Sequence, residues 1–145
     1  MSKIFETDES IVNLARDRFE DTGLAHYGVD LKVMSLTKAN QLVKVSKASA
    51  TTEFLAKTSD CIQMFIYEEA FDKLDEKSKN LILEGALSIV SYDTEKERIV
   101  IDNAPFAEIF NMRRKYGDLY TDLLESTFEL IKSIEEQKKE ERKNA

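Results

Sequence analysis

The run Cys61 to Tyr67, CIQMFIY, limits what this chain can fold into more than any other stretch. It is rich in β-branched and aromatic residues and puts apolar side chains on both faces of an extended chain. A strand of that kind belongs inside a sheet covered above and below. Glu68 to Leu74 then turns the chain, and Asp75, with Ser78 three residues on, opens a helical pattern predicted to reach about Tyr92. Its polar residues Lys77, Asn80, Glu84, Ser88 and Ser91 share one face, while Ile82, Leu83, Ala86, Leu87, Ile89 and Val90 fill the rest. So broadly apolar a helix is central, packed on the sheet and covered by a further helix.

The flanking sequence supplies the remaining elements. From Thr7 to about Leu24, Ile11, Leu14, Ala15, Phe19 and Thr22 recur near a helical period, with Thr7 or Asp8 as cap and Gly23 near the end. Val29, Leu31 and Val33 alternate with polar residues in a strand predicted to end near Leu36. Residues 37–60 are the least legible: a strand near Leu42–Ser46 competes with a surface loop, and Phe54–Leu55 is the other short apolar piece. After the turn DTEKE, Arg98 to Asp102 reads as a short strand. Pro105 suits the first turn of a helix capped by Asn103 or Ala104, which is expected to bury Phe106, Ile109 and Phe110, with Met112 beside them, and to stop near Tyr116–Gly117. A long last helix starts at Asp118 with the stripe Leu119, Leu123, Leu124, Phe128, Ile131, Ile134; beyond it EEQKKEERKNA is expected to be a solvated end, its last ~10 residues frayed. The fold class expected is α+β: one domain over residues 1–145, a small mixed sheet of three to four strands packed with the N-terminal and central helices (1–102), and a C-terminal helical hairpin (103–145).

A chain of 145 residues can bury one real core, and its 42% hydrophobic content is that of a globular domain. No apolar run approaches the ~20 residues of a membrane span, and MSKIFETDES shows no secretory signal. A lone cysteine, Cys61, fits a reducing compartment, so the expected location is cytoplasmic rather than secreted. The net charge of −7 disfavours nucleic acid as a partner. Lys32, Lys38, Lys44, Lys47 and Lys57 are concentrated in one stretch, but without interleaved aromatics they read as a solvated loop region rather than a strand-binding patch.

Chemistry is constrained by what is missing. Zinc needs three or four ligands drawn mostly from His and Cys, and the chain has one of each, His26 and Cys61, in no motif spacing. No metal or other cofactor is expected; an all-carboxylate magnesium or calcium site stays open only because acids are abundant, and no calcium-loop pattern occurs. His26 reads as a neighbour of a helix end, and Cys61 as a small hydrophobe in a buried strand. There is no G-x-S-x-G elbow, and four glycines make no phosphate-cradling loop. Gly85 stands out in the interior of the central helix, where it costs roughly 1 kcal/mol relative to Ala. Close approach by a neighbouring backbone or aromatic ring is the ordinary compensation, and a small ligand groove beside it is the sharper alternative.

The run DCIQMFIYEEAFDKLDEKSKNLILEGALSIVSYDTEKERIVI resembles the phage metallopeptidase family, compact zincin-like proteins with an alternating strand, a loop with a W/F-x-x-L element and a helix bearing H-E-x-x-H. Phe71 and Leu74 match the loop element, and Tyr92–Asp93 matches the end of the helix. The resemblance covers about residues 1–102, and 60–102 carries nearly all of it. In that register the first metal-ligand His falls on Gly85, the general-base Glu on Ala86 and the second His on Ile89. All three depart from the pattern, so the resemblance implies a degenerate member, with these as vestigial positions and no catalytic residue.

The function expected is therefore a non-catalytic, phage-encoded zincin-like protein that binds another protein, phage or host. Phe106, Phe110, Leu119, Leu123, Phe128 and Ile131 are the candidate partner surface, with self-association into a homo-oligomer as one form of it. The alternatives are a structural or packaged component of the phage virion, and an acidic inhibitor of a host nucleic-acid enzyme. The location expected is host cytoplasm or virion.

Overall fold

A computed structural model of the chain describes residues 2–49 and 60–144. Phe54–Leu55 and Lys57 lie outside the described residues. The fold is α+β. Four strands form a mixed sheet: β1 (Ile4–Phe5), β2 (Asp30–Leu36), β3 (Val43–Lys47) and β4 (Cys61–Tyr67), in the order β1-β2-β4-β3. β2 and β4 run parallel from Asp30↔Cys61 to Leu36↔Tyr67, and β3 is antiparallel to β4 with Val43 opposite Ile66. β4 thus has a strand on either side. Cys61, Ile62, Met64, Ile66 and Tyr67 are all buried, as a strand apolar on both faces requires. β3 is an edge, and the strand expected near Leu42–Ser46 is real.

The helices are α1 (Glu9–Asp21), a single turn α2 (Glu68–Phe71), α3 (Glu76–Leu87), α4 (Ala107–Tyr116) and α5 (Asp118–Lys143). Asp8, not Thr7, caps α1: its Oδ1 accepts the Ser10 N–H at 2.9 Å. Thr7 instead pairs its hydroxyl with that of Ser35 on β2 at 2.8 Å, and both residues are buried. Ile11, Ala15 and Phe19 repeat every four residues and turn the buried face of α1 inward, where the helix packs on α3. Asp75 caps α3 as expected, its Oδ1 accepting the Ser78 N–H at 2.7 Å.

The central helix is shorter than its sequence pattern predicts. It ends at Leu87, and Val90–Asp93 is a strand, β5, paired antiparallel with β6 (Arg98–Ile101) in a separate two-stranded sheet. Ser88 closes the helix by donating its hydroxyl to the Gly85 carbonyl at 2.6 Å, and the Asp102 N–H binds the Ile89 carbonyl at 2.9 Å. Asp93 shapes the hairpin turn, its Oδ1 accepting the N–H groups of Glu95 and Lys96. Tyr92, expected at a helix end, is in β5 and stacks on Tyr27 with ring centroids 4.7 Å apart.

The C-terminal helices pair as expected, but their faces differ from the prediction. α4 starts at Ala107 rather than in the Pro105 turn, and Phe106 precedes it in the left-handed region (φ 68°) with its carbonyl accepting the Phe110 N–H. Gly117 alone joins α4 to α5, at φ 64° and ψ −140°, a combination open essentially to glycine. The buried face of α5 is Tyr120, Thr127, Ile131 and Ile134, so at two points the burial is one residue away from the predicted Leu119 and Phe128. Where fraying was expected the helix continues to Lys143, and Lys138 ties it to Glu69 of α2 at 2.7 Å. No helix among the described residues is long and apolar enough to cross a membrane.

Candidate functional site

The site grows out of the last two turns of α3. Gly85 is buried, and a Cβ on it would overlap the phenol Oη and Cζ of Tyr120 from α5. The missing side chain is what lets α5 approach, and aromatic contact compensates for glycine in a helix interior. Seated there, the Tyr120 hydroxyl donates to Glu108 Oε1 on α4 at 2.7 Å. Burial of Tyr120, with the Glu108 carboxylate next to it, raises its pKa far above the ordinary tyrosine value and keeps the phenol protonated. Burial likewise raises the Glu108 carboxyl above its usual range, and the hydrogen bond from Tyr120 partly opposes this.

Glu108 also lines a groove of about 330 Å³ between α3, β3 and the start of α4. Val43, Lys44 and Val45 of β3 form one wall, Ala86 and Ile89 line the α3 side, and the segment from Asp102 to Ile109 forms the other wall. Few polar groups converge in it: Lys44, Asp102, Asn103 and Glu108, with Gln41 beside β3. A concave site with a few convergent polar groups and a perturbed carboxyl is a natural ligand site. Among the described residues its lining holds no Ser, Cys or His, and the polar groups it offers a ligand are an ammonium, two carboxyls and two amides.

The three positions that the sequence resemblance aligns with H-E-x-x-H are split. Gly85 faces Tyr120, while Ala86 and Ile89 line the groove. Gly85 and Ile89 do not share a helical face, because α3 has ended before residue 89. His26 is exposed in the 3₁₀ turn Leu24–Tyr27, and Cys61 is buried in β4. Among the described residues no three His, Cys, Asp or Glu side chains are grouped to hold a metal ion.

The candidate partner surface is also divided. Leu123 and Ile131 pack into the protein's own core. Phe106 and Phe110, expected to be buried, are 67% and 65% exposed, one just before α4 and one in its first turn. Leu119 and Phe128 are exposed too, but nine residues apart they sit on opposite sides of α5 and form no common patch. The lysines of the basic stretch are dispersed: Lys32 pairs with Asp30 at 3.3 Å, Lys44 lines the groove, and Lys38 lines a cavity on another part of the surface.

Glu108 and Tyr120 had no sequence signal. They stand twelve residues apart on two helices, and only the turn at Gly117 brings them together. No family model, curated protein or solved structure matches this chain.

Proposed function

We propose that this chain is a non-catalytic, phage-encoded protein on a zincin-like scaffold that works by binding another protein. It does so through Phe106, Phe110 and the groove behind Phe106. The observation that carries this reading is Phe106: a bulky residue held at φ 68°, with its ring 67% exposed at the lip of the groove. A left-handed non-glycine residue costs on the order of 1–3 kcal/mol, and such strain gathers at binding sites. Exposed phenylalanines four residues apart are the kind of anchor that dominates protein interfaces. The phage and zincin-like parts rest on the sequence resemblance around residues 60–102. The non-catalytic part is supported by Gly85, Ala86 and Ile89 in place of H-E-x-x-H.

The test is affinity purification of the tagged chain and its Phe106→Ser/Phe110→Ser variant from phage-infected cells. The wild type is expected to bring down a specific partner that the variant loses, with melting temperature unchanged. A variant that retains the partner overturns the surface, and zinc near one equivalent per purified chain overturns the non-catalytic reading.

A further inference from the structure

A second cavity, of about 380 Å³, lies where the carboxyl ends of the parallel strands β2 and β4 meet the last turns of α5. Its lining is strongly cationic for a chain of net charge −7: Lys38, Lys138, Lys139 and Arg142, with Glu135 the one acid among the lining residues. Lys138 is additionally held by Glu69 at 2.7 Å. The α5 residues are sorted by helical geometry. At 100° per residue, Lys138, Lys139 and Arg142 fall within an arc of about 100° that Glu135 shares, while Glu136, Glu140 and Glu141 fall outside it. Bases near a helix C-terminus complement its dipole, which accounts for cations on α5. It does not account for Lys38, which comes from the loop after β2, nor for Tyr67, the last residue of β4, in the same lining.

The backbone at Lys38 is held from the N-terminal segment. The Lys38 carbonyl accepts the Ser2 hydroxyl at 2.8 Å, and the neighbouring Thr37 side chain accepts the Lys3 N–H at 2.9 Å. Tyr67 is buried, and burial raises its pKa, so its hydroxyl stays a hydrogen-bond donor; the Lys138 ammonium is kept charged by Glu69. Glu69 meets Lys138 and Glu135 shares the lining, but Lys38, Lys139 and Arg142 make no ion pair among the described residues, so the cavity keeps a cationic excess. We infer that this cavity is an oxyanion site that takes a phosphate group, either free or as a small phosphomonoester. Ammonium, guanidinium and phenol donors suit its oxygens, and the volume falls within the range of small-molecule sites. This site is separate from the Phe106 groove and independent of what binds there.

The experiment is thermal unfolding and calorimetric titration of the full chain with inorganic phosphate at low millimolar concentration, against chloride at equal ionic strength, with adenosine 5′-monophosphate as a second arm. Phosphate is expected to raise the melting temperature beyond chloride, and Lys139→Gln/Arg142→Gln to weaken its binding by at least about tenfold. Lys38→Gln, outside any helix, is expected to weaken it as well and serves if the double variant does not fold. Tighter binding of the monophosphate assigns the ester, and equal or weaker binding the free ion. A phosphate effect no larger than that of chloride, or one that every folded variant retains, overturns the site.

Discussion

Gly85, Tyr120 and Glu108 form a unit in which each residue makes the next one possible. Replacing Gly85 by Ala gains about 1 kcal/mol of helix propensity. It also forces a methyl into the Tyr120 ring, an overpacking that typically costs 1–3 kcal/mol (order of magnitude). Net destabilisation of up to roughly 2 kcal/mol is expected in urea unfolding. In a Tyr120→Ala background the same Gly85→Ala change should become neutral or stabilising, because its obstacle is gone. Equal effects in both backgrounds would falsify the contact. Glu108 gives the unit a pH dependence. Because burial raises its folded pKa, the folded chain holds a proton that the unfolded chain releases near the ordinary value of 4.5. The stability this contributes is complete below that value and is lost as pH rises through the folded pKa. Glu108→Gln still accepts from Tyr120 but does not titrate, so its stability relative to wild type should climb as pH increases from about 4.5. A difference that is flat with pH would contradict the assignment.

Among the elements, those with one clear period were legible in the sequence and those at a change of period were not. β4 announced itself by apolar residues on both faces, and α1 and the start of α3 by spacing and caps. The end of α3 was hidden because Leu87, Ile89 and Val90 continue a helical pattern while Val90, Ser91 and Tyr92 also alternate as a strand. Pairing with RIVI across the Asp93 turn decides between them, and that is a tertiary choice. The face of α5 was displaced because the stripe was built from the most apolar letters, whereas the buried positions include Tyr120 and Thr127; the Thr127 hydroxyl bonds back to the Leu124 carbonyl. Of the groove, the sequence offered only the alternative of a pocket beside Gly85; its walls come from β3, α3 and α4 and were not legible. The join between α4 and α5 makes its own prediction. Gly117 sits at φ 64° and ψ −140°, so Gly117→Ala should destabilise by roughly 1–3 kcal/mol although no neighbour lies where the new methyl would go. Calorimetry showing an unchanged melting temperature would contradict that backbone geometry.

For the molecule as a whole, the division of the C-terminal apolar residues restricts how copies can meet. Leu123 and Ile131 are committed to the chain's own core, and Leu119 and Phe128 point to opposite sides of α5. A self-complementary stripe along α5 is therefore not available, and light scattering across a concentration series should report a monomer. A dimer that persists in Phe106→Ser/Phe110→Ser would place an interface elsewhere. The short α3 has a consequence for metal ligation as well. To carry paired metal ligands at 85 and 89, the helix would have to extend through Ile89, the β5–β6 hairpin would have to yield, and Tyr120 would have to vacate the space over position 85. Each of these changes works against a contact that the present fold makes. Histidines placed at 85 and 89 by substitution alone would therefore not stand on one helical face, and the first would collide with Tyr120.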